Sequence, residues 1–301
     1  MPILLLLIVS LAAGVLIALA FYRLAPAKGA TTAAADAAAD AVEAVVESSA
    51  LRTWWRARTD PAVATGLALT AAVAMVIGGG LVIGLLAYLI RGNATLASVD
   101  SSAAQWGNDH ATALSTRLLT WVTDLGNWPV VPLVGIPILI YEWRRRPNLH
   151  LVLFVVIVFT GDKLVTTGIK DLVDRVRPTL NPVAETLGPS FPSGHSSTAA
   201  SFYAALALVL ARGRSARVRA LLVGAAGALA VAVAASRVLL DVHWLSDVIA
   251  GVTLGWAWFA LCAIAFGGRR LHFGEPVEDA LAHPSRRTAP AHSPAGPPSK
   301  V

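Results

Sequence analysis

Charge is in short supply along this chain, and the shortage sets its class. Charged residues fill 14% of the 301 positions and hydrophobic residues 56%, whereas soluble domains carry about 25% charge. Several apolar runs of about 16–24 residues are long enough to cross a bilayer as helices. A soluble globule with so much unbroken apolar sequence would aggregate. Cysteine is nearly absent too. The single Cys262 excludes an internal disulfide and a cysteine-rich metal site. Its place late in the last apolar run reads as a small buried hydrophobe. Lysine occurs only at Lys28, Lys163, Lys170 and Lys300, beside abundant arginine and alanine, a bias that suggests a GC-rich bacterial genome. The net charge of +6 gives no support to a nucleic-acid partner, because the basic residues cluster between apolar runs, where they orient helices.

What is present is a series of spans. In hydrocarbon every backbone group must be bonded internally, so the apolar runs read as helices. The expected fold is all-α: a polytopic membrane protein with a six-helix core and one additional N-terminal transmembrane helix. That first helix, about residues 3–22, lies in a segment 1–28. Met1-Pro2 gives it no basic n-region, which favours a retained anchor over a signal peptide. An alanine-rich linker helix over 29–61 follows, with Asp36, Asp40, Glu43 and Glu47 at helical spacing. The membrane domain covers 62–268, with spans at about 62–90, 128–142, 149–170, 196–211, 219–240 and 244–266. The second is short and holds Pro129, Pro132 and Pro137, so a kink or local thinning is expected. Residues 91–127 read as one or two surface helices, and 269–301 as a disordered cytoplasmic tail.

Charge fixes the expected orientation. Arg52, Arg56 and Arg58 precede the 62–90 span. Arg144–Arg146 follow the second, Arg212, Arg214, Arg217 and Arg219 follow the fourth, and Arg269 and Arg270 follow the last. Alternating spans put all four clusters on one side, which the positive-inside rule makes cytoplasmic.

Three polar segments then share the opposite, extracytoplasmic face. Lys170 and Arg177 are seven apart, two helical turns, so they project from nearly one face while the helix lasts. Pro178 then turns the chain. Arginine forks match phosphate oxygens bidentately and lysine adds a point charge. Ser193-Gly194-His195 opens a helix; Ser193 suits the N-cap, and the free N–H groups beside Gly194 suit an anion. His243 and Asp247, four apart at a helix start, stack on one face. A carboxylate there can hold one ring nitrogen and leave the other unprotonated and nucleophilic. His195 has no such carboxylate, which suits it to carry a proton beside a phosphate.

Together these segments read KxxxxxxRP, PSGH and SRxxxxxHxxxD, with every specified position matched. The chain resembles the type 2 phosphatidic acid phosphatase family over roughly residues 62–266. That resemblance implies that His243 attacks phosphorus, Asp247 orients it and His195 protonates the leaving oxygen. Lys170, Arg177, Ser193, Gly194 and Arg237 would hold the phosphoryl oxygens. No metal and no cofactor is then required, and the expected partner is a lipid phosphate or diphosphate met at the outer face of a cell membrane. A polyprenyl diphosphate, a phosphatidylglycerophosphate and a phosphatidic acid all remain open, with a slight lean to the first. A phosphotransferase using the same residues and a non-catalytic scaffold are the alternatives.

Smaller expectations attach to other polar residues. Asp162 and Lys163 lie inside a span, where charges are costly and often functional, and read as partners of other helices or supports of the site. Asp241 reads as a solvated turn residue. Gly251 and Gly255 have the GxxxG spacing that allows close helix approach. Asp109 and His110 are weaker candidates to line an entrance.

Overall fold

Long runs rich in Ala, Val, Leu and Ile give this sequence its helices. The structure, a computed structural model, describes residues 2–24, 61–178 and 188–267. The expected linker helix, tail and part of the segment after Pro178 lie outside the described residues. Nine helices occur among the described residues, and no strand: α1 (Pro2–Leu24), α2 (Pro61–Leu89), α3 (Ala94–Asp109), α4 (Ala113–Asp124), α5 (Val131–Arg145), α6 (Leu149–Val173), α7 (Gly194–Leu210), α8 (Ala216–Leu239) and α9 (Leu245–Gly267). The six expected core helices are α2 and α5 to α9, and the 91–127 segment forms two helices, α3 and α4.

Five helices, α1, α2, α6, α8 and α9, are long and apolar enough to cross a membrane. The other two core helices are short, as the expected spans 128–142 and 196–211 already were. At 1.5 Å per residue, the 15 residues of α5 reach about 22 Å and the 17 of α7 about 25 Å. α5 carries proline in its first turn, where the missing N–H is harmless, and Pro137 inside.

The shortness of α7 goes with its central place. It packs against α6, α8 and α9, and most of its residues are buried. Its Ala and Ser side chains leave room for neighbours to approach. Gly251 and Gly255 of α9 use that room: a Cβ on Gly251 would sit 2.5 Å from the Ser193 carbonyl, and one on Gly255 would collide with that of Ser197. The GxxxG face therefore pins the first turn of α7.

Phe154, Val158, Phe202, Tyr203, Val209 and Val233 form the main apolar core between α6, α7 and α8. Against this bundle lies α1, antiparallel to α8. Gly14 and Ala18 meet Gly224 and Ala228, while Leu6 joins Leu119, Leu240 and Val242 in a second cluster. The expected anchor is thus packed on the phosphatase-like core rather than set apart from it.

Candidate active site

The functional segments meet at the end of the bundle where α6 and α8 finish and α7 and α9 begin. α6 stops at Asp174, whose left-handed backbone (φ 47°) is a conformation that aspartate tolerates better than most residues. Lys170 stands in the last turn of α6 and donates to the Pro189 carbonyl. Arg177 lies beyond the turn. It donates from Nε to the Gly188 carbonyl (2.9 Å), from Nη2 to the Pro189 carbonyl (3.2 Å) and from Nη1 to the Val242 carbonyl (2.8 Å).

The same Nη1 lies 3.1 Å from Nε2 of His243. Because guanidinium can only donate, this contact requires an unprotonated Nε2 and assigns the proton to Nδ1. His243 is 2% exposed. Burial, then the charges of Arg237, Arg177 and Lys170, hold its imidazole well below the usual range. Its Nδ1 faces Asp247 Oδ2 at 3.5 Å, too long for a hydrogen bond, and this buried nitrogen makes no other.

Asp247 is fully buried and firmly held. Oδ2 accepts from the Trp244 amide at 3.0 Å, and Oδ1 accepts from Arg175 Nη1 at 2.6 Å. Arg175 also reaches Asp100 of α3 through Nη2 at 2.8 Å. Asp100 in turn accepts from the amide and hydroxyl of Ser246, and the Arg175 guanidinium lies over the Trp244 ring. An acid–arginine–acid chain thus runs from a surface helix to the carboxylate behind His243.

A pocket of about 310 Å³ opens in front of these residues. Lys170, Arg177, Gly194, His195, Arg237 and His243 line it together with Lys163. Four lining side chains are cationic and none is acidic. Arg237 is 6% exposed; its Nη1 donates to Thr123 Oγ1 at 3.1 Å, and its buried Nε has no partner. Around Gly194 an added Cβ would meet only Thr166 Cγ2, at 3.7 Å, so its backbone faces open space. Among the described residues no group of three His, Cys, Asp or Glu side chains could hold a metal ion.

Six of the eight expected site residues therefore share one pocket, and two stand behind it. Asp247 stands behind His243, with Oδ2 3.5 Å from Nδ1 and no hydrogen bond between them. Ser193 occupies the N-cap of α7, yet its side chain caps no backbone N–H. Its fully buried hydroxyl accepts from Ser196 at 2.9 Å instead, while its amide donates to the Asp247 carbonyl. The hydroxyl is thus built into the packing of α7 rather than into the pocket lining.

Other expectations change as well. Asp241 is 2% exposed with φ 56°, so it is a buried left-handed turn rather than a solvated one. Asp162 accepts from Ser197 and Thr198 and ties α6 to α7 one turn beyond His195. His110 stacks on Trp106 and does not line the pocket. Sequence reasoning missed Arg175, Asp100 and Ser246. The RVRP spacing offered a signal, since Arg175 and Arg177 flank one exposed residue, Val176.

Similarity to known proteins agrees with this geometry. A family model described as the PAP2 superfamily matches residues 149–271. A phosphatidylglycerophosphatase B from Bacillus subtilis is 32% identical over 153 residues, 48% of this chain and 72% of that protein. A lipid A 1-phosphatase from Rhizobium johnstonii is 37% identical over 125 residues, 38% of this chain and 46% of that one. Among solved structures, a transmembrane PAP2-type phosphatidylglycerolphosphate phosphatase from Bacillus subtilis superposes with a TM-score of 0.62 at 29% identity. The match covers 67% of this chain and 100% of that one. By its motifs, its helical bundle and these relatives, the chain belongs to the PAP2 superfamily.

Proposed function

We propose that the protein is a membrane lipid phosphatase that works through a phosphohistidine on His243. One observation carries the reading: Nε2 of His243 accepts from Arg177 at 3.1 Å, which keeps that nitrogen unprotonated at a pocket shared with His195 and four cations, and its lone pair is freed for attack as the guanidinium turns to the phosphoryl oxygens. The named relatives, both lipid phosphatases, support the substrate class.

The steps follow from the residues. Lys170, Arg177, Arg237 and the Gly194 amide bind the phosphoryl oxygens, where charge spreads in the transition state. Nε2 attacks phosphorus as the bond to the leaving oxygen breaks, and His195 gives that oxygen its proton. Water then attacks phosphorus, yields a proton to His195 and releases inorganic phosphate, restoring neutral His243. As positive charge develops on the imidazole, the 3.5 Å gap to Asp247 closes to a hydrogen bond, a tightening common in Michaelis complexes. His195 shares its pocket with Arg237 and Arg177, which oppose a further positive charge. It therefore takes up its proton together with the anionic substrate.

The arginine clusters around α5–α6 and α7–α8 lie at the opposite end of the bundle. Their position supports a site that opens on the extracytoplasmic side of a bacterial cell membrane. The test is trapping. Rapid quench with a phosphorus-labelled lipid phosphate is expected to yield an acid-labile phosphoprotein, absent from His243→Ala along with all turnover. Normal phosphate release by His243→Ala would overturn the proposal.

A further inference from the structure

The phosphoryl cradle needs three cations, and the pocket has four. Lys170, Arg177 and Arg237 surround His243, whereas Lys163 lines the same pocket two helical turns back along α6. Residues 163, 166, 167 and 170 follow the i, i+3, i+4, i+7 rule and form one polar stripe along the span. All four line the pocket. Lys163 and Lys170 are about 10 Å apart along the axis, with Thr166 and Thr167 between them.

Two features mark this stripe as unfinished. Lys163 is exposed and makes no ion pair among the described residues, and the acid next to it, Asp162, is bonded to Ser197 and Thr198 on α7. A lysine without a counter-ion inside a span is costly, and such residues mark substrate paths. Thr166 is 3% exposed, and its Oγ1 has no hydrogen-bond partner. A buried hydroxyl without a partner next to a cation without a counter-ion calls for an anion with oxygens to share.

We propose that Lys163 and Thr166 form a second phosphate subsite beside the phosphoryl cradle. Its occupant is a second phosphate of the same lipid, adjacent to the one that is cleaved. The inference rests on the phosphatase reading and narrows it to lipids with two phosphates. Both a diphosphate anhydride and a phosphomonoester spaced by glycerol from a phosphodiester have this chemistry.

The experiment compares the full-length protein with Lys163→Met, Lys163→Arg and Thr166→Val on three lipids: a prenyl diphosphate, phosphatidylglycerophosphate and phosphatidic acid. The expected result is a shift in selectivity. For Lys163→Met, kcat/KM on a two-phosphate lipid relative to phosphatidic acid falls about tenfold or more, as for loss of a charge-assisted hydrogen bond. KM carries the change, and Lys163→Arg restores part of it. Thr166→Val moves the same ratio in the same direction by less.

A fall confined to the prenyl diphosphate, or to the glycerol-spaced lipid, supports the subsite and fixes its spacing. An unchanged ratio on both two-phosphate lipids overturns it, as does an equal loss on all three. Failure of the wild type on every lipid would instead count against the phosphatase reading. The subsite then remains testable by binding. Inorganic pyrophosphate should protect the wild type from thermal unfolding more than orthophosphate does, and Lys163→Met should erase the difference. Equal protection by the two anions in the wild type would reject the subsite.

Discussion

Arg175 shows at single-residue scale how the candidate site is held. Its fork bridges two buried carboxylates, Asp247 and Asp100, and removing it would strand both. Breaking such a buried pair costs about 3–5 kcal/mol. Arg175→Ala is therefore expected to lower the thermal midpoint markedly and to lower kcat. Arg175→Lys should fall between, because an ammonium lacks the planar fork that spans both acids. An unchanged midpoint and kcat in Arg175→Ala would refute the bridging role. His243 makes a pH prediction with a definite sign. Its imidazole is held well below the usual range, so the neutral, nucleophilic form persists at pH values where a free imidazole is protonated. The acid limb of kcat/KM should therefore lie below about pH 6.5, the value of a free histidine, while kcat, which reports the substrate-bound enzyme, should decline on the alkaline side as His195 loses the proton it holds there. A rate profile with its acid limb at the free-imidazole value would contradict this assignment. The residues of the three motifs could be read from the sequence because their chemistry is local: two helical turns, one helix start, one i, i+4 pair. Arg175 could not be placed, because its acidic partners stand 72 and 75 positions away and only folding brings them together.

Among the elements, α1 departs most from what hydropathy alone conveys. An apolar run reveals that a helix can cross a bilayer, but not which neighbour it chooses, since a span that is apolar all round has no distinct face. Small residues supply that missing information. Gly14, Ala18, Gly224 and Ala228 let α1 and α8 touch backbone to backbone, and Leu6 shares an apolar cluster with Leu240 and Val242, the residue before His243. α1 thus braces the turn that carries the proposed nucleophile. On Gly224 a Cβ would stand 2.5 Å from the Gly14 carbonyl and 2.6 Å from Ala18 Cβ. Gly224→Val is expected to cost about 1–3 kcal/mol by overpacking and to reduce kcat. Gly80→Val, where the added carbon meets nothing within 4 Å, serves as the control. Equal thermal midpoints and rates for the two variants would show that α1 is only a tether. The short lengths of α5 and α7 were legible in their apolar runs, whereas the central, buried place of α7 was not, because a helix clad in Ser and Ala does not announce its neighbours.

For the whole molecule, the alternation of spans and arginine clusters predicts a sidedness that can be read directly. Cys262 is buried and is the single cysteine of the chain, so it gives little background to thiol labelling. Val176 is 78% exposed beside the pocket, and Arg146 lies between α5 and α6 at the other end of the bundle. In intact cells a membrane-impermeant maleimide should label Val176→Cys and spare Arg146→Cys until the membrane is opened. The reverse pattern would turn the site towards the cytoplasm and remove the outer-leaflet substrate from consideration. The helical layout was legible in advance because a bilayer allows so few solutions: helices of sufficient length, each hydrogen-bonded within itself.

Arg177 adds a consequence for turnover. Its guanidinium already serves three backbone carbonyls, of Gly188, Pro189 and Val242, so an arriving phosphate displaces existing bonds instead of filling a gap. In the proposed reaction capture is therefore an exchange: neutral carbonyl partners give way to a charged oxygen, the stronger acceptor, and those carbonyls stand ready to take the guanidinium back once phosphate leaves.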